Sequence, residues 1–241
     1  MTTPAEADDL VDRLRRFALR AGRRGEPLPG EPTLAQALGV SRPSLREGLA
    51  RLESEGLIGR RKGAETAVNP GALEMIARFD HQVEYADLLA AAGFEPSMEL
   101  LEAGVTRLPA ESAVRLRRDA GIPALRTVKR WRADGRAVMV AIDIVPAPDG
   151  GHENLHEADP GSGLFELVRR ISGTSVTWEL AWPGAEVPKS HVRGWLETAP
   201  DAAALTLDLV GVARNGARAY HALEYHVPGA VPSGFIRTVR S

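Results

Sequence analysis

Apolar and polar residues alternate along this chain with two different periods, and the period changes close to residue 93. Before that point, apolar residues recur every three to four positions, as they do on one side of a surface helix. After it, short stretches alternate apolar and polar residues between turn signals, which favours β-strands. The pattern predicts an α+β fold with a helical N-terminal part and a sheet in the C-terminal part.

Helices are expected at four places before residue 93. The first carries one apolar stripe, made of Leu10, Leu14, Phe17 and Ala21. The predicted helical ranges are 5–21, about 33–38, 42 to about 55, and 72–92. Asn69-Pro70-Gly71 is typical of a linker. The predicted domains are therefore residues 1–70, a linker helix at 71–92, and residues 93–241.

The second and third helices are joined by a tight turn at Gly39-Val40-Ser41. Gly39 can adopt the left-handed conformation that ends a helix, and Ser41 is a natural N-cap for the next one. The buried stripe of that next helix consists of Leu45, Leu49 and Leu52. A basic β-hairpin is expected between residues 57 and 68. This order of elements predicts a winged helix-turn-helix.

A winged helix-turn-helix places its second helix in the major groove of DNA. The exposed N-terminal face of that helix carries Arg42, Ser44 and Arg46, and an arginine there can donate two parallel hydrogen bonds to guanine. The hairpin adds a cationic wing suited to phosphate or a minor groove, made of Arg60, Arg61 and Lys62. The alternative is a small helical domain with a solvated basic face. The arrangement favours binding to double-stranded DNA.

Positive charge is concentrated in this segment. The 241 residues carry 30 Lys and Arg against 32 Asp and Glu, whereas residues 42–62 hold six bases and three acids.

The chain has no cysteine, which excludes disulfides and cysteine-ligated zinc. No apolar run is long enough to span a membrane, and the acidic N-terminus lacks the apolar core of a signal peptide. We therefore expect a cytoplasmic protein with no cofactor.

The C-terminal part contains two expected β-hairpins of similar design. One turns at residues 133–136 between strands 124–132 and 137–145, and the other turns at Asn215-Gly216, a strong hairpin signal. The other expected strands are 99–108, 175–180 and 235–239. The expected helices are 110–119, 161–171 and 188–196, and Ser162 is the expected cap of the second of these.

The segment from Leu28 to Ile58 contains short motifs in a fixed order. They are Leu28-Pro29, Leu34-Ala35, Leu38-Gly39-Val40-Ser41-Arg42, Leu45-Arg46-Glu47, Leu52-Glu53 and Glu55-Gly56-Leu57-Ile58. Together they resemble the N-terminal domain of the GntR family of bacterial transcription regulators. The resemblance implies that Arg42, Ser44, Arg46 and the wing-tip Gly63 contact the operator. Three positions depart from the family pattern beside the DNA: Pro32, Pro43 and Glu65.

The C-terminal part carries a second, weaker set of motifs. They are Val128-Lys129-Arg130-Trp131-Arg132 before Asp134-Gly135, Ile144-Val145-Pro146, Ser162-Gly163-Leu164-Phe165-Glu166-Leu167, and the closing hairpin around Gly216. In this order they resemble the UTRA domain, the effector-sensing part of the HutC-type branch of GntR regulators. The resemblance implies an antiparallel sheet with flanking helices, similar to chorismate lyase. Such a domain binds a small molecule and dimerises.

Arg130 and Arg132 are two residues apart, so one strand face carries both and they could clamp a phosphate or carboxylate. The alternative is an exposed charged strand face. UTRA members that bind sugar phosphates use arginines at matching positions, but two family glutamates appear here as Ala141 and His221. Further polar lining is expected from Asp143, Ser162, His221, Tyr225 and Ser233. We expect an effector that is larger or more apolar than a simple phosphosugar and still carries an anionic group.

His152-Glu153-Asn154-Leu155-His156 matches the H-E-x-x-H pattern of zinc proteases. The surrounding turn residues leave little room for a long helix, and no third ligand stands at a recognisable spacing. We interpret this segment as a polar loop or a single helical turn. The sequence therefore predicts no metal site and no catalytic residue.

These observations predict a homodimeric repressor that a small-molecule effector releases from a pseudo-palindromic operator. Its expected partners are the operator duplex, the effector and a second copy of the chain, without a membrane. Two alternatives stay open. One is a regulator whose UTRA domain only dimerises, and the other is an enzyme with a lyase-like C-terminal domain.

Overall fold

The computed structural model describes residues 4–60, 65–75, 77–78, 84–149, 151 and 153–237. The chain forms two compact units. One consists of Met1–His81 together with Pro232–Ser241, and the other consists of Gln82–Val231. This division lies further along the chain than the boundary expected at residue 70, and it returns the C-terminal segment to the first unit.

Three helices and a short hairpin form most of the first unit. They are α1 (Pro4–Arg23), α2 (Glu31–Leu38), α3 (Arg42–Ser54), β1 (Ile58–Gly59) and β2 (Ala67–Val68). The leucine stripe of α3 is buried, as predicted, in the same core as Leu14 of α1. The two helices approach closely at Gly48, where a Cβ atom would lie 2.5 Å from Leu14 Cδ1. The predicted winged helix-turn-helix is confirmed.

The turn between α2 and α3 has the predicted geometry. Gly39 is left-handed, with φ 65° and ψ 35°, and its amide donates to the carbonyl of Gln36. Ser41 has an extended backbone, and its Oγ accepts a hydrogen bond from the Ser44 amide at 3.2 Å. This cap sets the first residue of α3, and therefore which side chains its first turn exposes.

The predicted helix over residues 72–92 is wrong. The chain instead forms a single turn, α4 (Pro70–Leu73), a two-residue strand, β3 (Ala77–Arg78), and a separate helix, α5 (Tyr85–Ala91). The Asn69 side chain caps α4 by accepting a hydrogen bond from the Gly71 amide. β3 pairs in parallel with β10 (Ser233–Gly234). A local apolar pattern cannot reveal such a pairing, because its two strands lie far apart in the sequence.

The C-terminal segment completes the first unit. Ile236 packs against the core of this unit, and a Cβ atom on Gly56 would lie 2.6 Å from Ile236 Cγ2. Gly56 is also left-handed, with φ 71°, so both its backbone and its close neighbour favour glycine. Ser233, expected to line the effector site, belongs to this unit. All the other expected effector residues belong to the second unit.

A six-stranded antiparallel sheet forms the second unit, in the order β4-β5-β6-β9-β8-β7. Its strands are β4 (Pro96–Arg107), β5 (Pro123–Ala133), β6 (Arg136–Pro146), β7 (Val176–Glu186), β8 (Ala204–Ala213) and β9 (Arg218–His226). Its further helices are α6 (Ala110–Leu116), α7 (Asn154–Glu157), α8 (Leu164–Ser172) and α9 (Ser190–Leu196). Both predicted hairpins are present, and Gly135 and Gly216 have positive φ in their turns.

The helices of this unit cover the two faces of the sheet. α6 packs with Ile144 and Val210, and α9 packs with Val128 and Val140, so α6 and α9 share one face. Side chains alternate along a strand, so Lys129 projects from the opposite face, which meets α5 and α8. We call this opposite face the Lys129 face. It is defined by Thr127, Lys129, Trp131, Asp143, Glu224 and His226.

Candidate nucleic-acid interface and effector site

The N-terminal part of α3 carries the three side chains expected to read bases. Arg42 and Arg46 are exposed, and the Arg46 side chain keeps 66% of its surface accessible. Ser44 Oγ lies 2.8 Å from Ser41 Oγ, which ties this hydroxyl to the cap. Pro43 lies in the first turn, as predicted, where its missing N–H costs the helix nothing. The contact of these residues with DNA stays a prediction.

Two carboxylates reach the arginines of this surface. Glu31, the first residue of α2, accepts a hydrogen bond from Arg46 Nε at 2.7 Å. Glu53 of α3 accepts hydrogen bonds from Arg60 Nε at 2.9 Å and from the Arg60 amide at 3.3 Å. The base of the wing is therefore tied to α3. The other expected wing residues, Arg61, Lys62 and Gly63, lie outside the described residues.

Arg130 and Arg132 share a face, as predicted, but carboxylates already bind both. Glu99 of β4 accepts hydrogen bonds from Arg130 Nε at 3.2 Å and from Arg132 Nε at 2.5 Å. Glu197, which follows α9, accepts at 3.0 Å from Nη1 of each arginine. Hydrogen bonds from both arginines lower the pKa of Glu99, and hydrogen bonds from Arg132 lower the pKa of Glu197. The network lies on the α9 side, so the structure does not bring these arginines to Asp143 and Ser162.

His221 also lies away from the Lys129 face, as does Tyr225. His221 Nδ1 is 2.9 Å from Ser112 Oγ of α6, and its Nε2 is 3.1 Å from Asp208 Oδ1. Tyr225 is buried in the core under α9, and this burial raises its pKa to about 12. The single site expected from the sequence is corrected accordingly. Residues 221 and 225 share one face of β9, whereas residues 224 and 226 lie on the opposite face.

The Lys129 face brings Asp143 and Ser162 together around a buried lysine. Lys129 Nζ donates a hydrogen bond to the Ser162 carbonyl at 2.6 Å and lies 3.8 Å from Asp143 Oδ2. Asp143 also accepts a hydrogen bond from Thr127 Oγ1 at 3.0 Å. Burial raises the pKa of Asp143 to about 6 and lowers the pKa of Lys129. Gly163, rather than Ser162, is the N-cap residue of α8.

Aromatic rings and further acids lie on the same face, and the sequence interpretation missed them. Tyr85 of α5 packs edge-on against Trp131 and His226, with ring centroids 5.8 Å and 6.0 Å apart. His226 Nε2 lies 2.8 Å from Glu224 Oε2. Glu84 precedes α5, and burial raises the pKa of its carboxyl group while Lys129 opposes that rise. The sequence assigned Glu84 and Tyr85 to the expected linker helix and so did not indicate that they lie on this face. The alternation of side chains along β9, in contrast, indicates that Glu224 shares a face with His226.

Tyr220 extends this polar group towards β7, where its hydroxyl donates a hydrogen bond to Glu179. The tyrosine is fully buried and its ring lies across Gly211 of β8, where a Cβ atom would come within 2.1 Å of the ring. Only glycine allows this approach. Burial, followed by the negative charges of Glu224 and Asp143, raises the pKa of Glu179 to about 8. The Glu179 carboxyl group is therefore mostly protonated at neutral pH.

The H-E-x-x-H pattern forms only the single turn α7. His156 is exposed, and His152 lies outside the described residues. Within the described part of the chain, no three His, Cys, Asp or Glu side chains are grouped as a metal ion would require. Likewise, no described helix combines the length and the apolar surface needed to cross a lipid bilayer.

Two known families match consecutive parts of the chain. Residues 7–68 match the family described as bacterial regulatory proteins, gntR family. Residues 91–230 match the UTRA domain. The first match covers the winged helix-turn-helix, and the second covers the six-stranded sheet.

A curated relative and two solved structures are similar to the chain. The HTH-type transcriptional regulator GgaR of Escherichia coli (strain K12) is 30% identical over 158 residues, which is 63% of this chain and 59% of GgaR. The chain thus spans less than two thirds of the length of that relative. YydK of Bacillus subtilis subsp. subtilis str. 168 aligns with a TM-score of 0.69 at 13% identity, over 97% of this chain and 99% of YydK. The effector domain of PhnF from Mycobacterium smegmatis aligns with a TM-score of 0.56 at 16% identity, over 64% and 94%. At such identities these likenesses show the fold.

Proposed function

The chain belongs to the GntR family of bacterial regulatory proteins, in the HutC-type branch that carries a UTRA domain, and we propose that it is a ligand-responsive repressor. As a member of this family it is a DNA-binding transcription regulator rather than an enzyme. The repressor role, the effector and a homodimer acting in the cytoplasm are parts of the proposal. The observation that carries it is an exposed arginine-bearing helix and a buried polar face within one chain.

We assign operator recognition to the N-terminal part of α3. Arg42 and Arg46 are long and exposed, and a guanidinium group can bind O6 and N7 of guanine together. Arg60, at the base of the wing, lies where phosphate contact would add affinity without sequence preference. Two copies of this unit on the half-sites of a pseudo-palindrome would double the base contacts, which is why we propose a homodimer.

We assign effector binding to the Lys129 face. Small-molecule sites combine apolar and aromatic walls with a few placed polar groups. The rings of Tyr85 and Trp131 and the polar groups of Lys129, Asp143 and Glu224 supply this combination within the unit that matches the UTRA domain. The region of PhnF that aligns with this unit is called an effector domain, which supports the assignment.

The charges on this face favour an effector with N–H or O–H donors over an anionic one. Even with Glu179 mostly protonated, the carboxyl groups of Asp143, Glu84 and Glu224 outnumber Lys129, the one lysine among the described residues of this face. The lysine ammonium is already bound by the Ser162 carbonyl and Asp143. A phosphate would therefore meet more negative than positive charge. A hydroxyl-rich or amine-bearing molecule would find acceptors.

The repressor hypothesis requires that the effector bind one state of the protein better than another, because only a difference in affinity shifts an equilibrium. We propose that the effector favours a state in which two copies no longer fit both half-sites. The measurable consequence is reciprocal, since bound operator must weaken effector binding by the same factor.

A mobility-shift experiment tests this function. The probe is the DNA upstream of the protein's own gene, with and without a metabolite extract, against a shuffled duplex. A specific shift that the extract releases supports the proposal. A specific shift that ignores extracts from several growth conditions would favour the regulator that no longer binds a ligand.

Two matched variants locate the effector site. Glu224→Gln changes the Lys129 face, and Glu99→Gln makes the same change on the opposite, α9 face. We expect Glu224→Gln to keep the shift and lose its release by the extract, while Glu99→Gln keeps both. The reverse pattern would place the effector at Arg130 and Arg132 instead.

A further inference from the structure

Glu31 reaches Arg46 across the helix-turn-helix. The two residues are 15 positions apart, on α2 and α3, and the turn at Gly39 brings Glu31 Oε2 to 2.7 Å from Arg46 Nε. The arginine side chain is 66% exposed and the glutamate side chain 33%. Exposed ion pairs contribute little to stability, and a carboxylate beside DNA opposes phosphate binding. Neither protein stability nor general DNA affinity explains this contact.

The contact leaves the other end of the guanidinium group unused. A guanidinium group has five N–H donors, one on Nε and two on each Nη. Glu31 takes the Nε donor, and Glu31 is the hydrogen-bond partner that the described structure gives Arg46. Neither Nη group bonds to another of the described residues. The two Nη groups are the parallel pair that binds O6 and N7 of guanine.

We infer that Glu31 is a positioning residue that fixes Arg46 for base recognition. A free arginine side chain loses rotamer freedom when it binds a base. An acceptor that already holds Nε removes part of that loss before the DNA arrives. A phosphate can be reached by an arginine in many conformations, whereas a base requires one, so fixing the side chain favours the correct base over phosphate. The inference rests on the proposed base contact of Arg46.

Two substitutions at Glu31 separate position from charge. Glu31→Ala removes both the charge and the acceptor, whereas Glu31→Gln removes the charge and keeps a carbonyl acceptor for Nε. Both remove the same acid from the start of α2, so effects on the helix dipole cancel in the comparison. Glu26→Gln removes an exposed carboxylate that pairs with Arg24 and serves as the control for net charge.

The measurement is the ratio of Kd values for a scrambled duplex and for a duplex that the wild-type full-length protein selects from a random pool. We expect all three single variants to bind the scrambled duplex slightly more tightly. Glu31→Ala lowers the ratio by roughly three- to tenfold, while Glu31→Gln and Glu26→Gln stay within about twofold of the wild type. In an Arg46→Ala background, Glu31→Ala has no further effect on the ratio.

Several results would overturn the inference. If Arg46→Ala lowers the ratio and Glu31→Ala does not, base reading stands and the positioning role fails. If Arg46→Ala leaves the ratio unchanged, the assigned base contact fails as well. If Glu31→Gln lowers the ratio as much as Glu31→Ala, charge rather than the hydrogen bond is responsible. An effect of Glu31→Ala that persists without the Arg46 guanidinium also contradicts the mechanism.

Discussion

The arginines expected from the sequence to bind ligands lie in opposite environments in the two units. In the first unit, the Arg46 side chain is 66% exposed and bonds through one nitrogen. In the second unit, the Arg130 and Arg132 side chains are each 15% exposed, and both bond to Glu99 and Glu197. Lys129, which directly precedes Arg130 in the sequence, is only 3% exposed. Residue type alone therefore does not identify a binding site, because the number of donors that remain free differs between the units.

This difference fits the two ligands that we assign. A regulator approaches DNA from solution and needs cations whose donors are uncommitted, since phosphates and base edges lie on the outside of the duplex. A buried site instead needs each polar group held in place before the ligand arrives, because an unsatisfied buried group is costly. Carboxylates occupy the donors of Arg130 and Arg132 in the second unit, whereas Arg42 and Arg46 in the first are exposed and available to bind.

The largest expected effect on stability comes from removing one partner of the buried Lys129–Asp143 pair. Lys129→Met leaves Asp143 buried without its cation, and we expect a loss of roughly 3 kcal/mol in the free energy of unfolding. Urea denaturation measures it. The double variant Lys129→Met with Asp143→Leu should recover much of the loss, since no charge is then buried alone. If the double variant is no more stable than the single one, packing of the lysine stem rather than charge is responsible.

Removal of an exposed arginine should act on binding instead of stability. We expect Arg42→Ala and Arg46→Ala each to cost about 1–3 kcal/mol of specific DNA binding, the usual value of a bidentate base contact. The melting temperature should stay close to that of the wild type. Fluorescence anisotropy with the selected and scrambled duplexes measures the effect, and equal losses on both duplexes would show that the arginine binds phosphate only.

The pH dependence of stability distinguishes the two faces of the sheet. The Glu179 pKa is raised from 4.5 to about 8 and the Asp143 pKa from 3.8 to about 6. Each carboxyl group therefore holds more protons in the folded state than in the unfolded state at any pH between its unfolded and folded pKa values. The free energy of unfolding therefore falls as the pH rises from about 5 to about 8, by roughly 1–3 kcal/mol. Urea denaturation across this range checks it.

Matched glutamine variants locate that dependence. Glu179→Gln should flatten the pH profile, because its side chain no longer titrates. Glu99→Gln, on the other face, removes a carboxyl group with a lowered pKa, whose contribution is lost only at more acidic pH. Its profile between about pH 5 and pH 8 should therefore match the wild type. A flattened profile in Glu99→Gln alone would reverse the assignment.

The smallest effect is expected at the paired arginines. Arg132→Gln removes hydrogen bonds to Glu99 and Glu197, whose side chains are 40% and 48% exposed, and ion pairs with such exposed partners are worth little. We expect DNA binding and release by the effector to change by less than about twofold. Calorimetry with inorganic phosphate should likewise show no binding at millimolar concentration. A clear phosphate signal that Arg132→Gln abolishes would restore the anion clamp suggested by the spacing of Arg130 and Arg132.

Local chemistry made the first unit predictable. The Ser41 cap, the left-handed Gly39 and the leucine stripe of α3 depend on neighbours within a few residues, and all three appear as expected. The hairpin turns at Gly135 and Gly216 follow from the same kind of signal. Such features are determined by backbone conformation and helix periodicity, which the sequence carries directly.

The effector face was not predictable in the same way. Whether Lys129 or Arg130 meets a ligand depends on which helix covers which face of β5, and that follows from contacts between distant segments. Glu84 and Tyr85 were hidden because residues 77–78 pair with a strand more than 150 positions away instead of extending a helix. The sequence shows which residues of a strand share a face, but it does not show which helix will cover that face.

The return of residues 232–237 to the first unit matters for anyone who would exchange sensors between regulators. In chain topology the sheet-containing unit is an insertion, with one junction near residue 81 and a second near residue 232. A chimera spliced only at the first junction would carry a foreign partner for β3 and a foreign residue against Gly56. Grafting a new effector-binding unit onto this DNA-binding unit therefore requires two junctions, and the native residues from 232 onward must be kept.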